Sequence, residues 1–263
     1  MIAALLPLAA ASVLLWQDVG PGLWQAQAPM DASGALAPVR VVALRMDPRQ
    51  VRFELASALR DERTRGAWTV DSLPPDALAA FNAGQFTGPQ VWGWLVREGR
   101  ELQPPGAGTL GMAFVVDSAG RAELLEPREL AARRGRALLA FQSYPALLVR
   151  NGELPWELRR KGRGADLGHR DSRLAIGVRA DGTVLVALTR FIGLGTAGEQ
   201  LPWGPTVGEM AAWMRAQGCR RAMMLDGGIS SQMAIRGRDG SLSRWPNWRP
   251  VPLGMVVLAR PGP

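Results

Sequence analysis

The sequence predicts an α+β protein, rich in β-strands, in which a mostly antiparallel or mixed sheet and a few packed helices form a single domain. Short apolar segments alternate with turn residues along most of the chain, and few segments have a helical period. The 263 residues are 47% hydrophobic and 21% charged. These proportions are those of a globular protein, so they exclude an intrinsically disordered chain and a polytopic membrane protein.

The N-terminal segment is apolar and uncharged from residue 2 to residue 15. This run is too short for a transmembrane helix, which needs about 20 apolar residues, and it suits the hydrophobic region of a secretory signal. Small residues suitable for cleavage occur at Ala9-Ala10-Ala11 and at Ala26-Gln27-Ala28. We therefore expect a signal-like or membrane-proximal segment over residues 1–28, a folded domain over residues 29–263, and an exported protein that is periplasmic, secreted or membrane-tethered. A buried N-terminal helix in a cytosolic protein is the alternative.

Strands are predicted from alternation and from turn residues after Pro38. Val51, Phe53 and Leu55 alternate with charged residues, which is the period of a half-buried strand. Asn151-Gly152 is a strong two-residue turn, since both residues accept a positive φ. The remaining predicted strands are residues 112–117 and 122–125 as one hairpin, residues 173–179 and 183–189 as another, residues 146–150, and residues 251–259 at the end.

Two helices are predicted. Thr206 and Glu209 form a capping box, apolar residues follow at helical spacing, and Gly218 ends the helix. A shorter helix is predicted over residues 76–81, directly after two prolines. Residues 159–171 are rich in glycine and charge without an apolar period, so they predict a loop.

Cysteine and histidine are almost absent, which limits the chemistry. Cys219 and His169 are the only residues of their types, so the sequence excludes an internal disulfide, a cysteine-based metal cluster and a multi-histidine metal site. No cofactor is identified, and a divalent cation with oxygen ligands stays open. The net charge of +8 is carried almost wholly by arginine, because Lys161 is the only lysine. A basic surface favours anionic partners, although a solvated cationic face is the simpler interpretation.

Two motifs of other enzyme classes are incomplete. Residues 193–198 match the G-x-G-x-x-G pattern, but Pro202 and Pro205 follow where a dinucleotide-binding helix would begin. Residues 228–232 lack the second glycine of a G-x-S-x-G nucleophile elbow, and the next residues predict a strand rather than a helix. A serine hydrolase with His169 as its base remains an alternative.

The most informative segment runs from residue 222 to residue 231. A short apolar strand ends at Asp226, and Gly227-Gly228 and then Ser230-Ser231 follow. Glycines at this point let the backbone approach a ligand and leave amide groups available to an oxyanion. An ordinary Asp-Gly turn between strands is the alternative interpretation.

The sequence Leu225-Asp226-Gly227-Gly228-Ile229-Ser230-Ser231 resembles the signature of the phosphodiester glycosidase domain family. Three further blocks resemble the family in the same order, and they are residues 82–86, residues 141–152, and residues 173–177 with Asp181-Gly182. The resemblance covers about residues 20 to 259. Ala83 replaces a usual glycine, Leu174 replaces a usual threonine, and the family's histidine two residues before the arginine has no counterpart at Asp171, since His169 lies four before Arg173.

This resemblance implies a hydrolase that cleaves the glycosidic bond of a sugar-1-phosphodiester or a related anionic glycan. It implies catalytic roles for Asp226 as nucleophile or general base, for Arg173 as a bidentate phosphate ligand, and for Asn82. Substrate-binding roles are expected for Gly227, Gly228, Ser230, Ser231, Gln142 and His169. The expected partner is the anionic glycan or sugar phosphodiester rather than nucleic acid, with membrane association of the N-terminal segment.

A second catalytic carboxylate is left open among Asp171, Glu199 and Glu209. The ten tryptophans also allow two interpretations, since aromatic rings stack on sugars and also fill cores. Those in turn-rich stretches are Trp92, Trp94, Trp203, Trp245 and Trp248. A module that binds anionic glycans without turnover is the second functional hypothesis.

Overall fold

The computed structural model describes residues 14–32, 35, 38–57, 68–87, 90–159, 166–192, 201, 203–246 and 248–261. Three features named above therefore lie outside the described residues, wholly or in large part. They are the apolar run up to residue 13, residues 160–165 of the predicted loop, and residues 193–200 with the glycine-rich pattern and Glu199. The described part of the chain contains no helix long and apolar enough to cross a membrane.

Nineteen strands and two α-helices make up the described structure. The strands are β1 (Gln17–Gly20), β2 (Leu23–Met30), β3 (Val39–Met46), β4 (Val51–Ser57), β5 (Ala77–Asn82), β6 (Phe86–Thr87), β7 (Gln90–Val91), β8 (Leu95–Arg97), β9 (Arg100–Gln103), β10 (Met112–Asp117), β11 (Ala122–Leu125), β12 (Ala137–Ser143), β13 (Ala146–Leu148), β14 (Leu174–Arg179), β15 (Val184–Phe191), β16 (Cys219–Met224), β17 (Met233–Arg236), β18 (Leu242–Trp245) and β19 (Leu253–Ala259). The helices are α1 (Pro127–Leu130) and α2 (Val207–Ala216), and 3₁₀ turns lie at Val70–Ser72, Ala131–Arg133, Trp156–Arg159 and Gly228–Ser230.

The strands form three larger sheets and a two-stranded ribbon. The first sheet has the order β1-β2-β3-β15-β14-β16-β13, the second β11-β10-β12-β8-β9, and the third β18-β17-β5-β19-β4, while β6 pairs with β7. Every strand pair in the described part of the chain is antiparallel. The predicted β-rich α+β class with mostly antiparallel sheet is therefore confirmed.

Local sequence signals placed the hairpins correctly. β10 and β11 have the predicted bounds, and β14 pairs with β15 across the predicted turn. Thr206 Oγ1 accepts a hydrogen bond from the Glu209 amide at 3.2 Å, and Glu209 Oε2 accepts one from the Thr206 amide at 2.8 Å. Gly218 has a φ of 82° just beyond α2, as a helix-ending glycine requires.

The predicted short helix over residues 76–81 is wrong, because this segment forms β5. β5 is a central strand that pairs with β17 on one side and β19 on the other. Its alanines favour a helix in isolation, but that preference is worth only a fraction of a kcal/mol per residue. Two rows of backbone hydrogen bonds and full burial of the small side chains outweigh it.

One hydrophobic core joins the three sheets. Phe114 lies between Phe53 of the third sheet and Phe141 of the second, with ring centroids 5.5 Å apart in each pair. Leu44 and Ile176 of the first sheet belong to the same buried cluster. This continuous core accounts for a single domain.

The first sheet is buried on both faces. Met210 and Met214 of α2 pack with Ala175 and Met224 on the face that points away from the main core. Cys219 lies in this second cluster, where burial raises the pKa of its thiol to about 12, so the only cysteine is not an available nucleophile. β14 and β16 are thus fixed from both sides, and their ends hold the residues described next.

Candidate functional site

The site forms where β16 ends and β14 begins. The two strands are antiparallel with Met224 opposite Ala175, so the residues after β16 meet the residues before β14. The Leu225 amide donates to the Leu174 carbonyl at 2.8 Å and continues the pairing beyond the strands. Asp226 therefore lies beside the segment from Asp171 to Arg173.

Gly227 and Gly228 let the two segments approach closely. The Gly228 amide donates to the Ser172 carbonyl at 2.7 Å, and a Cβ atom on Gly227 would lie 2.7 Å from that same oxygen. Gly228 has a φ of 58°, and a Cβ there would lie 2.8 Å from Asp171 Oδ2. Only glycine fits both positions, and as a result the Asp171 and Asp226 carboxyl groups flank one turn.

Asp226 is held through its backbone. Its amide donates to the Gly84 carbonyl at 2.9 Å, and its carbonyl accepts from Asn82 Nδ2 at 2.8 Å. Asn82 Oδ1 in turn accepts from the Gln232 amide at 2.9 Å. Asn82 is fully buried, and both ends of its amide contact backbone, so the geometry favours a positioning role for this predicted catalytic residue.

The Asp226 carboxyl group is left to face the site. Gln85 Nε2 donates to Oδ1 at 3.4 Å, and the Ser230 hydroxyl also bonds the carboxyl group. Ser230 thus contacts the candidate nucleophile directly. Gln85 belongs to the block of residues 82–86, and its contact could not be predicted from spacing because it lies far from Asp226 in the chain.

Burial raises the pKa of both carboxyl groups. For Asp226 the effect of burial is opposed by the Ser230 hydrogen bond and by the charge of Arg249, and it is reinforced by the charge of Asp171. For Asp171 burial is opposed mainly by the charge of Arg173. Two carboxyl groups that repel each other in a buried site are arranged to hold a proton at a higher pH than an exposed pair.

Asp171 is the candidate for the second carboxylate that the described residues favour. Its Oδ1 atom is buried and has no hydrogen-bond partner in the described part of the chain. Of the other candidates, Glu209 caps α2 and pairs with Arg170 at 2.9 Å, and Glu199 lies outside the described residues. A buried carboxyl oxygen without a partner has its hydrogen-bonding capacity available to a substrate.

Arg173 connects two loops through hydrogen bonds. Its guanidinium is only 8% exposed. Nε donates to the Pro205 carbonyl at 3.0 Å and Nη2 to the His169 carbonyl at 2.5 Å, while the Arg173 amide bonds Thr189 Oγ1 at 2.7 Å. Burial lowers the pKa of this guanidinium, and the nearby Asp171 charge opposes that effect. Much of the donor capacity expected to bind phosphate is therefore used to hold backbone.

Arg190 is a functional residue that sequence reasoning missed. It is 2% exposed, and Nη1 donates to Ser231 Oγ at 2.8 Å and to Ser172 Oγ at 3.0 Å, while Nη2 donates to the Ser231 carbonyl at 2.7 Å. Ser231 Oγ also donates to the Gly228 carbonyl at 2.8 Å. Ser231 is thus part of a buried network that fixes the glycine turn. The available signal was a charged residue in the otherwise uncharged and largely apolar β15.

Gln142 and His169, both predicted to bind substrate, differ in their setting. Gln142 Oε1 accepts from the Trp94 amide at 2.9 Å and the Gly106 amide at 2.8 Å, so its buried side chain organises a neighbouring loop. The His169 side chain is 59% exposed, with Nε2 3.5 Å from Asp171 Oδ2. Within the described residues His169 bonds neither Ser230 nor Ser231, which gives no support to a serine–histidine pair.

Trp248 and Arg249 stand beside the glycine turn. Their amides both donate to the Ile229 carbonyl, at 3.0 and 3.1 Å. Both side chains are exposed, and the charge of Arg249 lowers the pKa of Asp226. This segment adds a cation and an aromatic surface to the site.

The other tryptophans divide between core and surface. Trp94 is fully buried and Trp245 nearly so, whereas Trp203 and Trp248 are 42% and 53% exposed. Trp92 packs edge-on against Tyr144. Among the described residues, no cluster of three or more His, Cys, Asp or Glu side chains is arranged to hold a metal ion.

Comparison with known proteins identifies a family and a fold. A family model described as phosphodiester glycosidase matches residues 75–258. The catalytic domain of zebrafish N-acetylglucosamine-1-phosphodiester alpha-N-acetylglucosaminidase, auto-inhibited by its pro-peptide, superimposes with a TM-score of 0.69 at 17% identity, covering 94% of this chain and 88% of that one.

Two bacterial structures are also similar. A hypothetical protein from Synechocystis gives a TM-score of 0.62 at 14% identity over 93% of this chain and 64% of its own. A Burkholderia pseudomallei protein described as exported gives 0.60 at 17% identity over 87% and 76%. At these identities the three structures establish the fold alone. No curated protein matches the sequence.

The raised pKa of Asp226 predicts how stability depends on pH. A charged, buried carboxylate disfavours the folded state above its folded-state pKa, and this cost disappears below the unfolded-state value, near 3.8. Asp226→Asn should therefore melt at a higher temperature than the wild type at pH 7, with a difference that shrinks as the pH falls toward 3.8. Thermal unfolding followed by circular dichroism measures this.

Asp47→Asn is a control with the opposite sign. Hydrogen bonds from Arg49 hold the pKa of Asp47 down to about 2, so its charge stabilises the folded state above pH 3.8, and this contribution is lost as the pH falls toward 2. Asp47→Asn should melt below the wild type at pH 7. An Asp226→Asn protein that also melts lower at neutral pH would contradict the burial of an unfavourable charge.

Proposed function

The chain belongs to the phosphodiester glycosidase family, and from this premise we propose that it hydrolyses the glycosidic bond of a sugar-1-phosphodiester. The observation that carries the proposal is the carboxyl pair Asp171 and Asp226, which flanks Gly227-Gly228 and has pKa values raised by burial. Hydrolysis at a sugar C1 atom commonly uses two carboxyl groups in different protonation states.

Asp226 is the ionised member of the pair. The Gln85 amide, the Ser230 hydroxyl and the Arg249 charge stabilise its anionic form against the opposing effects of burial and of the Asp171 charge, and the nucleophile or general base acts in that form. Its carboxylate stabilises positive charge at C1 as the C1–O bond breaks. It either bonds C1 and is then displaced by water, or takes the proton from the attacking water; the anomer released distinguishes the two routes.

Asp171 takes the role of general acid, for which it must carry a proton. Its buried Oδ1 atom has no partner in the described part of the chain, so a proton there is available to an oxygen of the substrate. The electron pair of the broken C1–O bond leaves with the phosphate, which departs as a phosphomonoester. Phosphate is a good leaving group, so Asp171 needs only to donate a hydrogen bond to its oxygen or to transfer its proton partly as the C1–O bond breaks.

Arg249 provides the positive charge that meets the phosphate. It is exposed and directed by the Ile229 carbonyl to the side of Asp226, whereas Arg173 is buried and bonded to loop carbonyls. Arg173 is accordingly proposed to hold the Asp171 segment in place. Trp248 and Trp203 provide exposed rings for the sugar or for the group beyond the phosphate.

Loss of either carboxylate should abolish most turnover. Asp226→Asn and Asp171→Asn should each lower kcat/KM at least ~10²-fold, the low end for a positioned acid–base group. The measurement is sugar release from an N-acetylglucosamine-1-phosphodiester, chosen from the name of the zebrafish relative. The exposed residue Asp76, at the opposite end of β5 from Asn82, gives the matched control Asp76→Asn. A wild type that binds the substrate without releasing sugar would support the non-catalytic binding hypothesis instead.

Variants of Arg249 and Arg173 should differ in how their kcat/KM changes on two substrates. A hydrogen bond to a charged group is worth about 1.5–3 kcal/mol, so Arg249→Gln should lower kcat/KM on the phosphodiester roughly tenfold or more. It should change much less on an aryl glycoside of the same sugar, which lacks phosphate. Arg173→Lys should lower kcat/KM on both substrates by the same factor, and it should reduce the melting temperature. Equal losses for Arg249→Gln on both substrates would refute a phosphate contact.

We also propose export, with cleavage close to Ala9-Ala10-Ala11. Cleavage after Ala28 would cut through β2, which pairs with both β1 and β3, whereas cleavage near Ala11 leaves this sheet complete. The exported Burkholderia relative supports the location. N-terminal sequencing of the protein recovered from host fractions tests it. Recovery of a cytoplasmic protein with an intact Met1 would contradict export.

A further inference from the structure

A group of arginines lines two adjoining clefts, one formed by the second sheet and the other between that sheet and the far end of the first sheet. The clefts have volumes of about 500 and 550 Å³ and share Glu123 and Arg133. The arginines are Arg121, Arg133, Arg136, Arg150, Arg179, Arg220 and Arg221, and we call this surface the arginine face.

The arginine face is separate from the site at Asp226. Arg173 and Arg179 lie at opposite ends of β14, and six residues of strand span about 20 Å at a rise of ~3.3 Å per residue. Arg220 lies near the start of β16, whereas Asp226 follows its end. A ligand on this face therefore binds away from the carboxyl pair.

Positive charge on the arginine face exceeds what its carboxylates neutralise. Only Asp117, Glu123 and Glu129 among the lining residues are acidic. They pair with Arg121, Arg133 and Arg221, and Arg179 pairs with Asp181. Arg136, Arg150 and Arg220 form no ion pair with any described residue. Three exposed cations are thus available to an anionic ligand.

The backbone brings Arg150 and Arg220 into one cleft. Arg150 and Asn151 have φ values of 31° and 49°, a conformation that residues other than glycine rarely adopt. The Gly152 amide donates to the Arg220 carbonyl at 2.7 Å, and the Gly152 carbonyl accepts from Arg215 Nε at 2.7 Å. Arg150 is therefore held against the start of β16.

The lining chemistry distinguishes among anionic ligands. Among the described residues no aromatic side chain lines either cleft, so these residues offer no surface for stacking the bases of a single-stranded nucleic acid. Duplex DNA carries one charge per ~1.7 Å, a far denser array than three cations spread over two clefts. Small polar groups such as Ser118 and Asn151 between the arginines suit hydroxyl groups.

From these features we propose that the arginine face binds a linear acidic glycan, a polysaccharide with about one phosphate per repeat. The arginines bind the widely spaced phosphates, and the polar residues between them bind sugar hydroxyls. The choice of phosphate as the anion of the repeat rests on the proposed function, whereas the choice of a widely spaced anionic polymer rests on the arginine face itself.

The experiment compares two triple variants of the full chain. Arg136→Gln/Arg150→Gln/Arg220→Gln removes the available cations. Arg52→Gln/Arg238→Gln/Arg244→Gln removes the same charge from residues of the third sheet and its turn. Calorimetric titration with a poly(glycosyl phosphate) at low salt should show at least ~10-fold weaker binding for the first variant, about 1.4 kcal/mol, and little change for the second. The first variant should also show a weaker dependence of affinity on salt.

Further measurements separate this proposal from the hydrolytic one. All titrations are repeated in the Asp226→Asn background, so that cleavage of the polymer contributes no heat if the protein is a hydrolase. Polymer binding that the first triple variant leaves intact in this background would place the polymer at the carboxyl pair instead. Equal losses in the two triple variants would show that net charge alone is involved. Tighter, arginine-dependent binding of single-stranded DNA or of phosphatidylglycerol vesicles would overturn the choice of partner.

Discussion

The close contact between the glycine turn and Ser172 is the constraint on which the site depends. The Gly228 amide bonds the Ser172 carbonyl, and neither glycine has room for a side chain. Because β14 and β16 are buried on both faces, their ends cannot move apart to accept a larger residue. A small change at this turn would displace both carboxyl groups together, since Asp171 and Asp226 flank it.

Buried polar side chains maintain that contact from behind. Arg190, Ser172 and Ser231 form one network, and Asn82 links the Asp226 carbonyl to the Gln232 amide. Burying such groups is costly unless they are hydrogen-bonded, and here each bond also orients a residue of the site. The polar core at this end of the sheets therefore serves to position groups, while the phenylalanine cluster supplies the hydrophobic stabilisation.

Arginine supplies nearly all of the positive charge of the protein. Individual arginines nevertheless have different functions. Arg173 and Arg190 are buried and donate to carbonyl and hydroxyl oxygens, which makes them structural donors with a fixed geometry. Arg249 is exposed beside a carboxylate, and Arg150 and Arg220 are exposed at the far end of the sheet. All of these residues are arginines. Those that hold the backbone in place are buried with oxygen acceptors nearby, and those available to a ligand are exposed.

The sequence by itself determined the features that depend on neighbouring residues. The hairpin of β10 and β11, the capping box of Thr206 and Glu209, and the strand that ends at Asp226 all follow from alternation, turn chemistry and capping within a few residues. Four family-like blocks in order were enough to identify the domain that the family model later matched.

Only the tertiary structure decided the features that depend on distant partners. β5 is a strand because two neighbouring strands bond it, against the helical preference of its own alanines. Asp171 is the favoured candidate for the second carboxylate because antiparallel pairing brings it to Gly228, and Arg173 holds backbone because the Pro205 carbonyl lies within reach. A single sequence contains no distance between residues far apart in the chain, so contacts that close only on folding could not be predicted from it.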